Sequence, residues 1–70
     1  MLIVIAYSEA FTGNAKALSE ALKDKWSDVS INMMGTRRTL YQIQLDNVMI
    51  YSNDSVTDND TIINLIKEKL

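Results

Sequence analysis

Hydroxyls and backbone donors gathered where a strand runs into a helix are the first chemistry this sequence offers. In YSEAFTGNAKAL, residues 7–18, Ser8 and Thr12 bring hydroxyls, Gly13 a backbone without a side chain, and Asn14 an amide. Free N–H groups and the dipole at a helix N-terminus attract anions and lower the pKa of a thiol, so such a junction can hold a phosphate or a reactive cysteine. The chain has no cysteine and no histidine. It therefore has no thiolate nucleophile, no disulfide, no cysteine metal site and no imidazole base. A Thr12 hydroxyl without an imidazole to take its proton is a poor nucleophile and an ordinary helix cap. Asp54, Asp58 and Asp60 share one segment, but the glycine and distal glutamate of a calcium loop are missing at the required spacing, so helix capping is expected there and no metal site. Arg37-Arg38 is a compact basic pair at a turn, able to meet an acidic partner or a phosphate.

Composition narrows the function classes further. Seventy residues form one domain, 1–70, and a domain of this size buries only about 60% of the surface its unfolded chain exposes. The net charge of −2, with lysines and acids interspersed, supplies no basic field for a nucleic-acid backbone. The apolar run Met1–Tyr7 is too short to span a bilayer, lacks a basic segment before it and lacks a cleavage site after it, so a cytoplasmic protein with no membrane partner is expected.

The elements that must position these residues read as β-α-β-β-β-α. Leu2-Ile3-Val4-Ile5-Ala6 is a charge-free, β-branched run, which predicts a central strand covered on both faces. From Asn14 to Trp26, Ala15, Leu18, Leu22 and Trp26 recur at helical spacing, with Thr12 or Asn14 as the N-cap. Val29, Ile31 and Met33 alternate with polar residues, and Gly35-Thr36-Arg37-Arg38 breaks the pattern. Tyr41, Ile43 and Leu45 alternate with glutamines, and Asp46-Asn47, a pair that tolerates positive φ, joins them to Val48–Tyr51 as a tight hairpin. From Asp60 onward, Ile62, Ile63, Ile66 and Leu70 form the apolar face of a second helix. A strand, helix and strand in succession imply a parallel pair with a right-handed crossover, and the hairpin adds antiparallel strands. The expected architecture is a mixed four-stranded sheet packed by two helices.

These residues resemble the thioredoxin superfamily in its smallest form, close to glutaredoxins and selenoprotein W-like proteins. VIAYSEAFTGNAKAL is similar to the glutaredoxin opening, in which a strand ends in Tyr-Ser or Tyr-Thr and a C-x-x-C follows a few residues later. On that alignment Thr12-Gly13-Asn14-Ala15 takes the place of the redox pair. YQIQLDNVMIYS resembles the stretch in which a cis-proline precedes two hairpin strands, with Tyr41 where the proline would stand. GTRRTLYQIQLDNVMIYS and IINLIKEKL are similar to the corresponding selenoprotein W-like segments. The resemblance implies a thioredoxin-like (glutaredoxin-like) α/β fold over the whole chain, with the Arg37–Leu40 turn beside the former active-site loop.

Thiol–disulfide exchange needs an attacking thiolate, which neither Thr12 nor Ala15 supplies. The expectation is therefore a redox-inactive, non-enzymatic module that binds or regulates another protein, as a virus-encoded regulator or inhibitor would. The contact residues would be Glu9, Ala10, Phe11, Thr12, Gly13 and Asn14 with Arg37, Arg38, Thr39 and Leu40, and no cofactor is needed. Phe11 would either stand exposed for recognition or fold back on the core. The alternative is a phosphate, nucleotide or flavin mononucleotide held by Ser8, Thr12, Gly13 and Asn14, since flavodoxins carry a similar S/T-x-T-G-N-T loop between strand and helix. Flavodoxin-like domains, however, need about twice this length.

Overall fold

The computed structural model describes residues 1–70. Strand β1 (Leu2–Ser8) runs through a single 3₁₀ turn (Glu9–Phe11) into helix α1 (Thr12–Lys25). Strands β2 (Ser30–Thr36), β3 (Tyr41–Leu45) and β4 (Val48–Asn53) follow, and helix α2 (Asn59–Lys69) closes the chain. The four strands make one sheet in the order β2-β1-β3-β4, with β1 parallel to β2 and antiparallel to β3, and β3 antiparallel to β4. The α/β class, the mixed four-stranded sheet and the pair of helices agree with the expectation from sequence.

Both helices pack on one face of this sheet, and that face is the core. Ile3 and Ile5 of β1 and Tyr41, Ile43 and Leu45 of β3 meet Ala15, Leu18 and Leu22 of α1 and Ile62 and Ile66 of α2 in a single buried cluster. Side chains alternate across a strand, so Leu2, Val4 and Ala6 point the other way, where no element covers them, and they are half-exposed. The expectation that β1 is covered on both faces is thus corrected. β1 is central and charge-free, but two helices suffice for one face only.

The hairpin forms where expected. Asp46 and Asn47 adopt φ values of 48° and 70°, the left-handed pair that a two-residue turn of the type I′ kind requires. Asp46 also fastens the hairpin to the start of β1. The Leu2 N–H donates to Asp46 Oδ1 at 2.9 Å, and the Asp46 N–H donates to the Leu2 carbonyl at 2.8 Å. Between Ile43 and Gln44 the β3–β4 register shifts, leaving Ile50 as an extra residue that bends β4.

Three further boundaries differ from the sequence reading. β2 continues through Gly35 and Thr36, which pair with Tyr7 and Ser8 of β1, and Gly35 has no positive φ to interrupt the strand. α1 begins at Thr12 rather than near Asn14. Leu70, placed by its spacing on the buried face of α2, falls at the helix end and is 70% exposed. Trp26 sits at the margin of the core, and its N–H donates to the Leu22 carbonyl to close α1. No helix is long and apolar enough to cross a membrane.

Candidate functional site

The junction after β1 is built by a chain of local hydrogen bonds. Ser8 is buried, and its Oγ accepts the Ala10 N–H at 3.4 Å, capping the 3₁₀ turn. The Thr12 N–H returns to the Glu9 carbonyl, and the Thr12 hydroxyl donates to the same carbonyl at 2.6 Å. The 3₁₀ turn therefore passes directly into α1. Phe11 occupies the N-cap of α1 without a side-chain cap, and neither Thr12 nor Asn14 serves there. That corrects the expected capping: Ser8, one turn earlier, takes the task. Gly13 has no positive φ and lies inside the first turn of α1, so its flexibility is not what shapes the entry.

The second candidate segment lies against the first. The Ser8 N–H donates to the Leu40 carbonyl at 2.8 Å, where β1 leaves the sheet and β3 enters it. Ser8 also pairs with Thr36 at the end of β2, so Arg37–Leu40 begins beside the junction and returns to it. The Arg38 N–H donates to Thr36 Oγ1 at 3.2 Å, which tightens this turn. Glu9, Ala10, Gly13, Asn14, Arg37, Arg38 and Thr39 are exposed, while Phe11, Thr12 and Leu40 are half-buried. The residues singled out from the sequence are thus brought to one end of the sheet, at the carboxyl ends of the parallel strands, where open α/β sheets present their ligand sites.

Tyr41 anchors this end from below. It is 0% exposed, its ring meets Phe11 edge-on at 6.3 Å between centroids, and it meets Tyr51 edge-on at 6.2 Å. Phe11 has therefore folded back onto the core. The Tyr51 hydroxyl donates to the Ser55 carbonyl at 3.2 Å, whereas the buried Tyr41 hydroxyl has no hydrogen-bond partner. Burial raises the Tyr41 pKa above its ordinary value of 10.0, and the neighbouring Tyr51 adds to the rise. Sequence reasoning placed Tyr41 only as a strand residue at a proline position. Its buried, unpaired hydroxyl is a tertiary property that no spacing reveals.

The other candidates have local duties. Asp58 takes the N-cap position of α2, and its Oδ1 accepts the Thr61 hydroxyl at 2.5 Å and the Thr57 hydroxyl at 3.3 Å. The Thr61 hydrogen bond is the main reason its carboxyl is held below the ordinary carboxylate value. No three acidic side chains converge on a point that could hold a metal. For a phosphate at the junction, the Thr12 hydroxyl already donates its proton to the Glu9 carbonyl, Ser8 is buried, and no pocket opens on the surface.

No protein-family model matches this chain, and no curated protein does. The fold is that of a small α/β domain, with one helical layer on a mixed sheet and an exposed, largely polar surface at the carboxyl ends of its parallel strands.

Proposed function

We propose that the chain is a redox-inactive, glutaredoxin-like module that binds and regulates another protein through the surface formed by Glu9–Asn14 and Arg37–Leu40. One observation carries the reading: the 2.8 Å bond from the Ser8 N–H to the Leu40 carbonyl joins the two segments into a single exposed surface at the sheet end. The β2-β1-β3-β4 order, with its parallel first pair and antiparallel hairpin, supports the thioredoxin-like frame. With no cysteine in the chain, that frame cannot pass electrons through a thiol of its own. The surface holds no pocket that would enclose a small molecule, and the exposed Glu9, Arg37 and Arg38 on it can pair with charges of a protein partner.

The test is capture from a lysate of the source cell, comparing the wild type with the double variant Glu9→Ala, Arg37→Ala. Both side chains are exposed, so the variant keeps its fold, which circular dichroism verifies. A protein held by the wild type and lost by the variant supports the reading. Equal retention by both, or disulfide-exchange turnover by the purified chain, overturns it.

A further inference from the structure

We infer that Asn53 is a self-modifying site, which deamidates in the folded protein because the backbone nitrogen of Asp54 is held against its carboxamide. The Asp54 N–H donates to Asn53 Oδ1 at 2.8 Å, across a single peptide unit. An oxygen held there brings the carbon bonded to it to roughly 3–3.5 Å from the nitrogen, the separation of a near-attack arrangement. Asn53 is the last residue of β4, on the outer edge of the sheet, and Asp54 and Ser55 follow outside any element. All three are exposed, so water reaches the carboxamide. The Tyr51 hydroxyl donates to the Ser55 carbonyl at 3.2 Å and fixes the path of the chain just beyond the reacting pair.

No other asparagine has this arrangement. Asn53 alone accepts, on its own Oδ1, the N–H of the residue that follows. Asn14 lies in α1, and Asn59 and Asn64 lie in α2, where helical backbone points each N–H along the axis and away from the preceding side chain. Asn32 sits in the middle of β2, whose unbroken pairing with β1 holds the backbone extended. Asn47 precedes Val48, and a side chain branched at Cβ crowds the nitrogen that would attack.

The chemistry needs only water. The Asp54 nitrogen gives its proton to solvent and attacks Asn53 Cγ. The N–Cγ bond forms, the Cγ–Nδ2 bond breaks, and Nδ2 takes up a proton and leaves as ammonia. Water then opens the cyclic imide, giving aspartate when it attacks Cγ and isoaspartate, with the chain running through the side chain, when it attacks the main-chain carbonyl. One water is consumed, one ammonia is released, and one negative charge is added to the net −2 of the chain. Asn53 pairs with Tyr41, the residue after Leu40, so the new charge appears at the end of the sheet that carries Glu9–Asn14 and Arg37–Leu40.

Peptide mass mapping of the full chain, aged in buffer either folded or unfolded in guanidinium chloride, tests the proposal. The expected result is conversion at Asn53 ahead of every other asparagine, and faster in the folded protein than in the unfolded chain. The rate should rise with pH, because the attacking nitrogen must first lose its proton. Asp54→Pro has no N–H to lose and abolishes the conversion, whereas Asp54→Gly preserves it; the substituted residue is exposed, and circular dichroism verifies that both variants fold. Conversion of Asn53 that is slower in the folded protein than in the unfolded chain overturns the proposal. So does another asparagine that converts first in the folded protein, or conversion that persists in Asp54→Pro. None of these readouts depends on a binding partner.

Discussion

Replacing Tyr41 with phenylalanine should make the protein more stable, although the tyrosine is the largest fully buried side chain in the core. The ring is held by edge-on contacts with Phe11 and Tyr51, which phenylalanine keeps. The hydroxyl is buried without a hydrogen-bond partner, so it has lost water and gained nothing in return. An unsatisfied buried polar group costs about 1–3 kcal/mol, and the small void left by its removal returns part of that. A net gain of about 1–2 kcal/mol follows, which for a domain of this size is a rise of about 4–16 °C in Tm. Urea titration and thermal melts followed by circular dichroism measure it, with Tyr51→Phe as the control of opposite sign. Tyr51 donates its hydroxyl to the Ser55 carbonyl, so its loss should cost about 0.5–1.5 kcal/mol. The two variants should also part at high pH. The Tyr41 pKa is raised in the folded state, so the folded protein holds that proton more tightly than the unfolded chain does. Its contribution is therefore fully present below the unfolded value of 10.0 and is lost as the pH climbs from there through the folded pKa. Tyr41→Phe should flatten this alkaline loss. A Tyr41→Phe variant about 1 kcal/mol less stable than the wild type, or one with an unchanged alkaline limb, would refute the account of the hydroxyl as unpaired.

Gly13→Ala should stabilise by about 0.5–1 kcal/mol in urea titration, since Gly13 is helical and nothing lies within 4 Å of a Cβ built there. Asp46→Ala should cost about 1–2 kcal/mol, because it removes the acceptor of the Leu2 N–H and puts alanine at a φ of 48°, while Asp46→Asn, which keeps an acceptor and tolerates that φ, should cost less. Asp58 is held below its ordinary value of 3.8 chiefly by the Thr61 hydroxyl, so what it adds to α2 is present above that value and is lost as the pH falls through the folded pKa. Helical ellipticity during acid titration should show this loss in the wild type and a smaller one in Asp58→Ala.

What the sequence made legible, and what it concealed, divides along a physical line between local patterns and shared space. Asp46-Asn47 could be read because tolerance of positive φ is a property of the residues themselves, and both adopt it. Ala15, Leu18 and Leu22, and Ile62 and Ile66, could be read because a helix must bury its apolar stripe whatever the stripe meets. The apolar run of β1 was ambiguous in a way periodicity cannot resolve. Ile3 and Ile5 are buried while Leu2, Val4 and Ala6 are half-exposed, and the difference depends on how many helices the rest of the chain supplies. The extent of β2 was concealed for a related reason. Gly35 reads as a breaker in isolation, but it keeps a negative φ and pairs with Tyr7 across the sheet, so the strand continues to Thr36. At the candidate site the residue types were visible and their duties were not. Ser8 and Thr12 offer hydroxyls that could meet an anion, yet their nearest partners are the Ala10 N–H and the Glu9 carbonyl within the same turn. A hydroxyl at a strand–helix junction is most easily satisfied by its own backbone, and what remains for a partner is the exposed rim that the Ser8–Leu40 bond draws together.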